Sequence, residues 1–218
     1  MEAGVMERIF EEVKSFLDER DAARESMLSK GREIIRLSGS AISKMVTGDM
    51  DEAERILEDM RKTATEMVKS LQNYPELLNS PPSWSALAEY TEAEALYRVL
   101  KDGAVPPPED LGISPVPYVL GLADLIGELR RVALEEVKRG ELERAWLHLR
   151  KMEELYSLLS PLDYPDALIP GLRHKVDVAR RLIDDTKYFL IDMESRLKLE
   201  KALKDAVRGA AGRSFAEH

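Results

Sequence analysis

Cysteine is absent from the 218 residues and histidine occurs only three times. Disulfides and thiolate metal sites are thereby excluded, and the clustered histidines of zinc hydrolases cannot be assembled. A di-iron carboxylate bundle would need Glu-x-x-His pairs, yet Ala145 and Gly171 stand three residues before His148 and His174. Long apolar runs are missing as well, since no window approaches the roughly eighteen uninterrupted apolar residues of a membrane span. The amino terminus has no basic-then-apolar signal pattern, so a cytoplasmic location with no membrane partner is expected. There is no glycine-rich phosphate loop and no Gly-x-Ser-x-Gly elbow. Aromatic residues make up only 6% of the chain; Trp84 and Trp146 read as core anchors, and His148 and His174 as structural.

What the chain does have is charge, a third of its residues, with a formal net charge of -9, and a 3.6-residue apolar period that leaves no convincing strand. A first helix is expected from about Val5 to Val46, its apolar stripe beginning with Ile9, Val13, Phe16 and Leu17 and continuing through Ile34, Ile35, Leu37 and Ile42. Thr47-Gly48-Asp49 breaks it, and Asp51 can cap a second helix striped with Ile56, Leu57, Met60, Ala64, Met67, Val68 and Leu71. Residues 73–82, holding three prolines, form a turn segment with at most one short helical piece. Further helices are expected over Ser83–Lys101, Val116–Arg139, Glu141–Leu159 and from Leu172 past Leu203. The fold class is all-α: six or seven long antiparallel helices bundled into one domain over residues 1–200, with 201–218 a fraying tail. The last helix carries apolar residues around more than half its circumference, among them Leu182, Ile183, Tyr188, Phe189, Leu190, Ile191 and Met193, an excess that points to a subunit contact.

Four acids interrupt the apolar middle of this pattern. Glu89 and Glu92 are spaced i, i+3 on one helix; Asp124 and Glu128 are spaced i, i+4 on the next, so each pair projects from one face. If the two helices fold back across the Gly103–Pro108 turn, ending near Lys101 and restarting near Val116, Glu92 and Asp124 lie level to within roughly 2 Å at about 1.5 Å rise per residue. Glu89 and Glu128 then form a second rung one turn deeper. Carboxylates held together take up protons or bind a cation, and an all-oxygen set favours a hard one, Mg2+ or Mn2+. A solvated acidic helix face is the alternative, but Ala86, Leu87, Ala88, Ala93, Leu96, Leu122, Leu125 and Ile126 surround these acids.

The stretch Ser114–Arg131 (SPVPYVLGLADLIGELRR), the run Glu89-Tyr-Thr-Glu-Ala93 and the segment Pro170-Gly-Leu-Arg-His-Lys-Val-Asp-Val-Ala-Arg180 together resemble the translin superfamily, and within it the branch of translin-associated factor X. The likeness runs from Phe16-Leu-Asp-Glu-Arg-Asp21 to about Leu190 and is weakest in the last thirty residues. It implies a metal-dependent endoribonuclease whose acids fall on Glu89, Glu92 and Asp124. Glu128 also matches, but both branches have an acid there. Translin, the RNA-binding and catalytically poor relative, is apolar at the Asp124 position, so the alternative implied by the likeness is a non-catalytic oligomer binding RNA or single-stranded DNA. Pro117 departs from the pattern, which has an acidic residue before the tyrosine. The likeness further implies a hollow homo-octamer enclosing RNA, single-stranded first and duplex second, with acids enough to act alone; a translin-like second subunit is a further expected partner.

A net negative charge is unlike most nucleic-acid binders, so the distribution of cations matters more than their sum. Arg20, Arg24, Arg32, Arg36 and Lys44 lie along the first helix, with Arg32 and Arg36 four apart on one face. Such a row can neutralise phosphates; the competing expectation is salt bridging to neighbouring acids.

Overall fold

The computed structural model describes the backbone of residues 2–214 and the side chains of residues 4–208. Among the described residues there is no strand, and the order is α1 (Glu2–Thr47), α2 (Met50–Ser70), α3 (Pro75–Leu78), α4 (Pro81–Asp102), α5 (Pro108–Leu111), α6 (Pro115–Lys138), α7 (Leu142–Leu159) and α8 (Leu172–Ser214). Six are long, and α3 and α5 are single turns of four residues within the proline-rich connections. The expected bundle of six or seven helices is therefore present. No described helix is long and apolar enough to cross a membrane.

Local chemistry sets the boundaries. The residue that caps α2 is Asp49 rather than Asp51, its side chain accepting from the Glu52 N–H at 3.4 Å; Asp51 falls inside the first turn, where its charge favours the helix dipole. α4 and α6 both open on prolines at their first positions, where no backbone N–H is needed. Pro117 sits in the first turn of α6 and leaves the helix start intact.

The expected stripes pack inward on α2 and α7: Leu57, Met60, Ala64, Met67 and Leu71 on the former, and Ala145, Leu149, Met152 and Leu155 on the latter, are buried in one continuous core. On α1 the stripe divides. Ile34, Leu37 and Ile42 are buried, whereas Ile35 lies on the outer face of the same packed segment, and the whole early group, Ile9, Val13, Phe16 and Leu17, is exposed because α1 runs on beyond the bundle. The far end of α8 does likewise, exposing Leu197, Leu199, Leu203 and Val207. The segment 201–214, expected to fray, continues α8, as its alanines, lysines and arginines favour; residues 215–218 lie outside the described residues.

The centre of the bundle is α4, which packs on α1 and α2 on one side and on α6 on the other, while α6 in turn packs on α7 and α8. Every residue from Tyr90 to Tyr97 on α4 is buried, acids included. The α4–α6 approach at Gly121 leaves no room for a side chain. A Cβ built on Gly121 would stand 2.4 Å from the Ala88 carbonyl oxygen and 2.6 Å from Thr91 Cβ, nearer than real atoms pack. Glycine is the one residue that fits there without the helices parting.

This contact also corrects the expected register. Gly121 is level with Ala88 and Thr91, and Asp124 shares a cavity wall with Ser85, Ala88 and Glu89, so the antiparallel pair is offset by about one turn from Glu92 opposite Asp124. The level calculation assumed a symmetrical turn. In fact residues 103–114 include α5, and the Tyr118 hydroxyl donates to the Pro106 carbonyl at 2.9 Å, which holds the connection against α6 on one side only.

Replacing Gly121 with alanine should destabilise the protein by about 1–3 kcal/mol through overpacking, lowering Tm by roughly 3–10 °C in a thermal melt. Gly39, likewise inside a helix (α1) but with nothing within 4 Å of a built Cβ, is the control. Gly39→Ala should be neutral or stabilising by about 0.5–1 kcal/mol.

Candidate functional site

The four acids arrive at one seam by different routes. Glu89 and Glu92 come from the buried middle of α4, and Asp124 and Glu128 from α6, three and seven residues beyond the Gly121 contact. Glu92 is only 8% exposed and makes no hydrogen bond or ion pair among the described residues. Its carboxyl is pushed up to about 9, first by burial and then by the negative charges of Asp124, Glu89 and Glu128. Glu89 is half-buried and also raised, by burial first and by Asp124 and Glu128 further down; a hydrogen bond from Ser38 opposes the shift. The Ser38 hydroxyl, wholly buried on α1, lies 3.1 Å from both the Glu89 carbonyl and its Oε2. The four acids are near enough for the charges of the α6 pair to act on both α4 acids.

They are not packed into a ready ligand shell. Among the described residues no three acids or histidines stand close enough to grip one ion as they are. Two neighbours explain the spread. Lys175, from the first turns of α8, places Nζ 2.5 and 2.6 Å from the two carboxylate oxygens of Asp124. Arg131 reaches Glu128 at 3.4 Å from the same helix. The oxygen-only donor set nevertheless suits a hard divalent cation, and a buried carboxyl without any partner is the group such an ion would satisfy.

Lys175 and Ser38 were not singled out by sequence reasoning. Trp84, read as a core anchor, lines the same cavity of about 230 Å3 as Glu89, Asp124, Lys175 and Pro170, and its buried indole N–H has no partner among the described residues. A signal for Lys175 was present: it lies in the Pro170–Arg180 segment, where Gly171 adopts a left-handed φ of 74° and accepts the Lys175 backbone N–H at 3.1 Å, aiming the first turns of α8 at α6. Ser38 had no signal beyond its place on the inward face of α1. His148 is largely buried, with its imidazole held below the usual range by burial and then by Arg144; His174 is exposed beside Lys175.

The cations proposed along α1 divide. Arg20 pairs with Glu76 at 3.2 Å and lies over the Phe16 ring. Arg24 pairs with Glu25 at 2.7 Å and Lys44 with Asp49 at 3.1 Å. Arg32 and Arg36 are exposed, with no ion pair among the described residues. A buried clamp that sequence reasoning missed ties α2 to α4, with Arg61 donating to both oxygens of Glu94 at 2.8 and 3.0 Å and to Glu54 at 2.9 Å.

The Translin family model matches residues 84–185, the stretch that holds all four acids and Lys175. An uncharacterized protein of Methanocaldococcus jannaschii is 33% identical over 195 residues, covering 87% of this chain and 85% of its own. This chain belongs to the translin family. Among solved structures, AfC3PO in complex with duplex RNA is 34% identical with a TM-score of 0.80, covering 86% of this chain and 97% of its own. Apo-NeC3PO is 26% identical with a TM-score of 0.77, over 84% and 96%. The translin-family fold thus extends along the chain well beyond the segment matched by the family model.

The burial of Glu92 has a measurable consequence in metal-free buffer. Below about pH 4.5 the carboxyl is protonated whether the chain is folded or not. Between about 4.5 and 9 the folded chain keeps a proton that the unfolded chain has released, so stability falls as pH rises and levels off above about 9. In EDTA, Glu92→Gln should remove that part of the slope. Melting at pH 8 should rise by at least about 4 °C, equivalent to roughly 1–2 kcal/mol, with little change at pH 4; identical pH profiles would refute the buried-acid account.

Proposed function

We propose that this translin-family chain is a metal-dependent endoribonuclease that works inside an oligomeric shell. The observation that carries this reading is Glu92, a nine-tenths buried carboxyl without a partner that faces the charges of three other acids. A bundle selected only for stability has no use for such a group, because burying it unpaired costs several kcal/mol. Glu89, Glu92 and Asp124 would hold Mg2+ or Mn2+, with Glu128 as a further ligand or support. When bound, the ion would supply an activated water and neutralise charge on the phosphate oxygens. Ser38 holds Glu89 by its Oε2, and the tight α4–α6 contact fixes the two acidic helices against each other. The exposed Arg32 and Arg36 supply cations for phosphates, whereas Arg20, Arg24 and Lys44 would first have to leave their acidic partners.

RNA as the substrate class is supported by the relative AfC3PO, whose complex with duplex RNA shares this fold. Assembly is supported by the apolar ends of α1 and α8, which no described residue of the chain covers. A second reading, a non-catalytic RNA-binding oligomer, is favoured by one observation: Lys175 already neutralises Asp124 without any ion.

The two readings separate in a cleavage assay on labelled single-stranded and duplex RNA. Wild-type protein should cut with Mg2+ or Mn2+ and not with EDTA. Glu92→Ala and Asp124→Asn should each lose at least about 100-fold in rate, the equivalent of roughly 2.7 kcal/mol of transition-state stabilisation, while still binding RNA. Binding without cutting would favour the second reading, and cutting indifferent to EDTA would overturn the metal dependence.

A further inference from the structure

The Lys175–Asp124 pair has the form of a metal contact made by an amine. One positive centre sits at 2.5 and 2.6 Å from both oxygens of the same carboxylate, as a bidentate cation would. Its surroundings make it exchangeable. The Lys175 and Asp124 side chains are 33% and 32% exposed, and an ion pair so open to water contributes only about 0–1 kcal/mol. Both line the 230 Å3 cavity with Glu89, Trp84 and Ser85, and both also line a second opening on the α6–α8 side with Gly127 and Val178. The lysine stem therefore has room to swing on either side of Asp124. Its charge also reaches Glu89 and Glu92, so one ammonium partly offsets three of the carboxylates.

We propose that Lys175 is a resident cation of the acidic centre: it holds Asp124 while no divalent ion is bound, is displaced when one arrives, and only then offers its ammonium to a nucleic-acid phosphate. This rests on the metal-dependent reading above. It makes ion binding and phosphate binding cooperative, because the lysine cannot serve Asp124 and a phosphate together. The exchange replaces one cation by another at the carboxylate, and the divalent ion brings one positive charge more than the ammonium it displaces.

Two measurements test it. Mn2+ binding without RNA, followed by the electron paramagnetic resonance of the free ion, should be about tenfold tighter in Lys175→Met than in wild type and lost in Asp124→Asn. Acylation of Lys175 in the wild-type protein by an N-hydroxysuccinimide ester, quantified by mass spectrometry, should run several-fold faster with Mg2+ than with EDTA; this arm needs no variant to fold. Mn2+ binding that depends on Asp124 but is no tighter in Lys175→Met, or a Lys175 labelling rate unchanged by Mg2+, would overturn the resident-cation role and leave the nuclease reading standing. No Mn2+ binding by any form would overturn both.

Discussion

Everything at the acidic seam depends on one steric fact, the absence of a side chain at Gly121. Because a Cβ there would overlap the Ala88 carbonyl oxygen, the backbones of α4 and α6 meet at this point, an approach that a larger residue would not allow. That closeness puts two α4 acids and two α6 acids within each other's field. It also leaves α4 enclosed on both sides, so that Glu92 cannot turn out to water and Glu94 must be met by Arg61. The electrostatics of the site is thus a consequence of packing, and the packing is set by a residue that has no functional group.

The two buried glutamates of α4 show the difference between structure and chemistry in one helix turn. Glu94 has its carboxylate answered by a guanidinium at 2.8 and 3.0 Å, the arrangement expected where a buried charge serves the fold. Glu92, two residues earlier and similarly buried, has no hydrogen-bonded partner among the described residues and feels mainly the like charges of Asp124, Glu89 and Glu128, which the more weakly acting Lys175 only partly offsets. Similar burial with opposite company sorts the pair: one belongs to the α2–α4 clamp and the other to the site.

Much of this was legible from residue order alone. Periodicity located the six long helices, and acid spacing inside apolar surroundings located the four carboxylates, because both signals are local. What failed was set by distance along the chain. The register between α4 and α6 slipped by about one turn because it depends on the α5 connection and on the Tyr118–Pro106 bond, neither of which a count of residues from a turn can weigh. Lys175 lies 51 residues from Asp124, and no spacing rule joins them. The inward stripe of α1 was read too far toward its start, since a stripe records that apolar residues face something and not that the same chain provides it.

Net charge, awkward for a reading that involves nucleic acid, becomes informative once the cations are placed. Arg20, Arg24, Lys44 and Lys30 are each engaged by a nearby acid, in pairs that contribute little to stability and are screened by salt. The cations that matter are those with no competing acid and those whose acid can be given a better partner. Arg32 and Arg36 are the first kind and Lys175 is the second. A divalent ion at Asp124 would add positive charge to the seam and release a lysine beside it, so the local field would become much less negative in a protein whose total charge stays negative. Polyanion binding at such a seam would therefore be conditional on the ion, which a uniformly basic surface could not achieve.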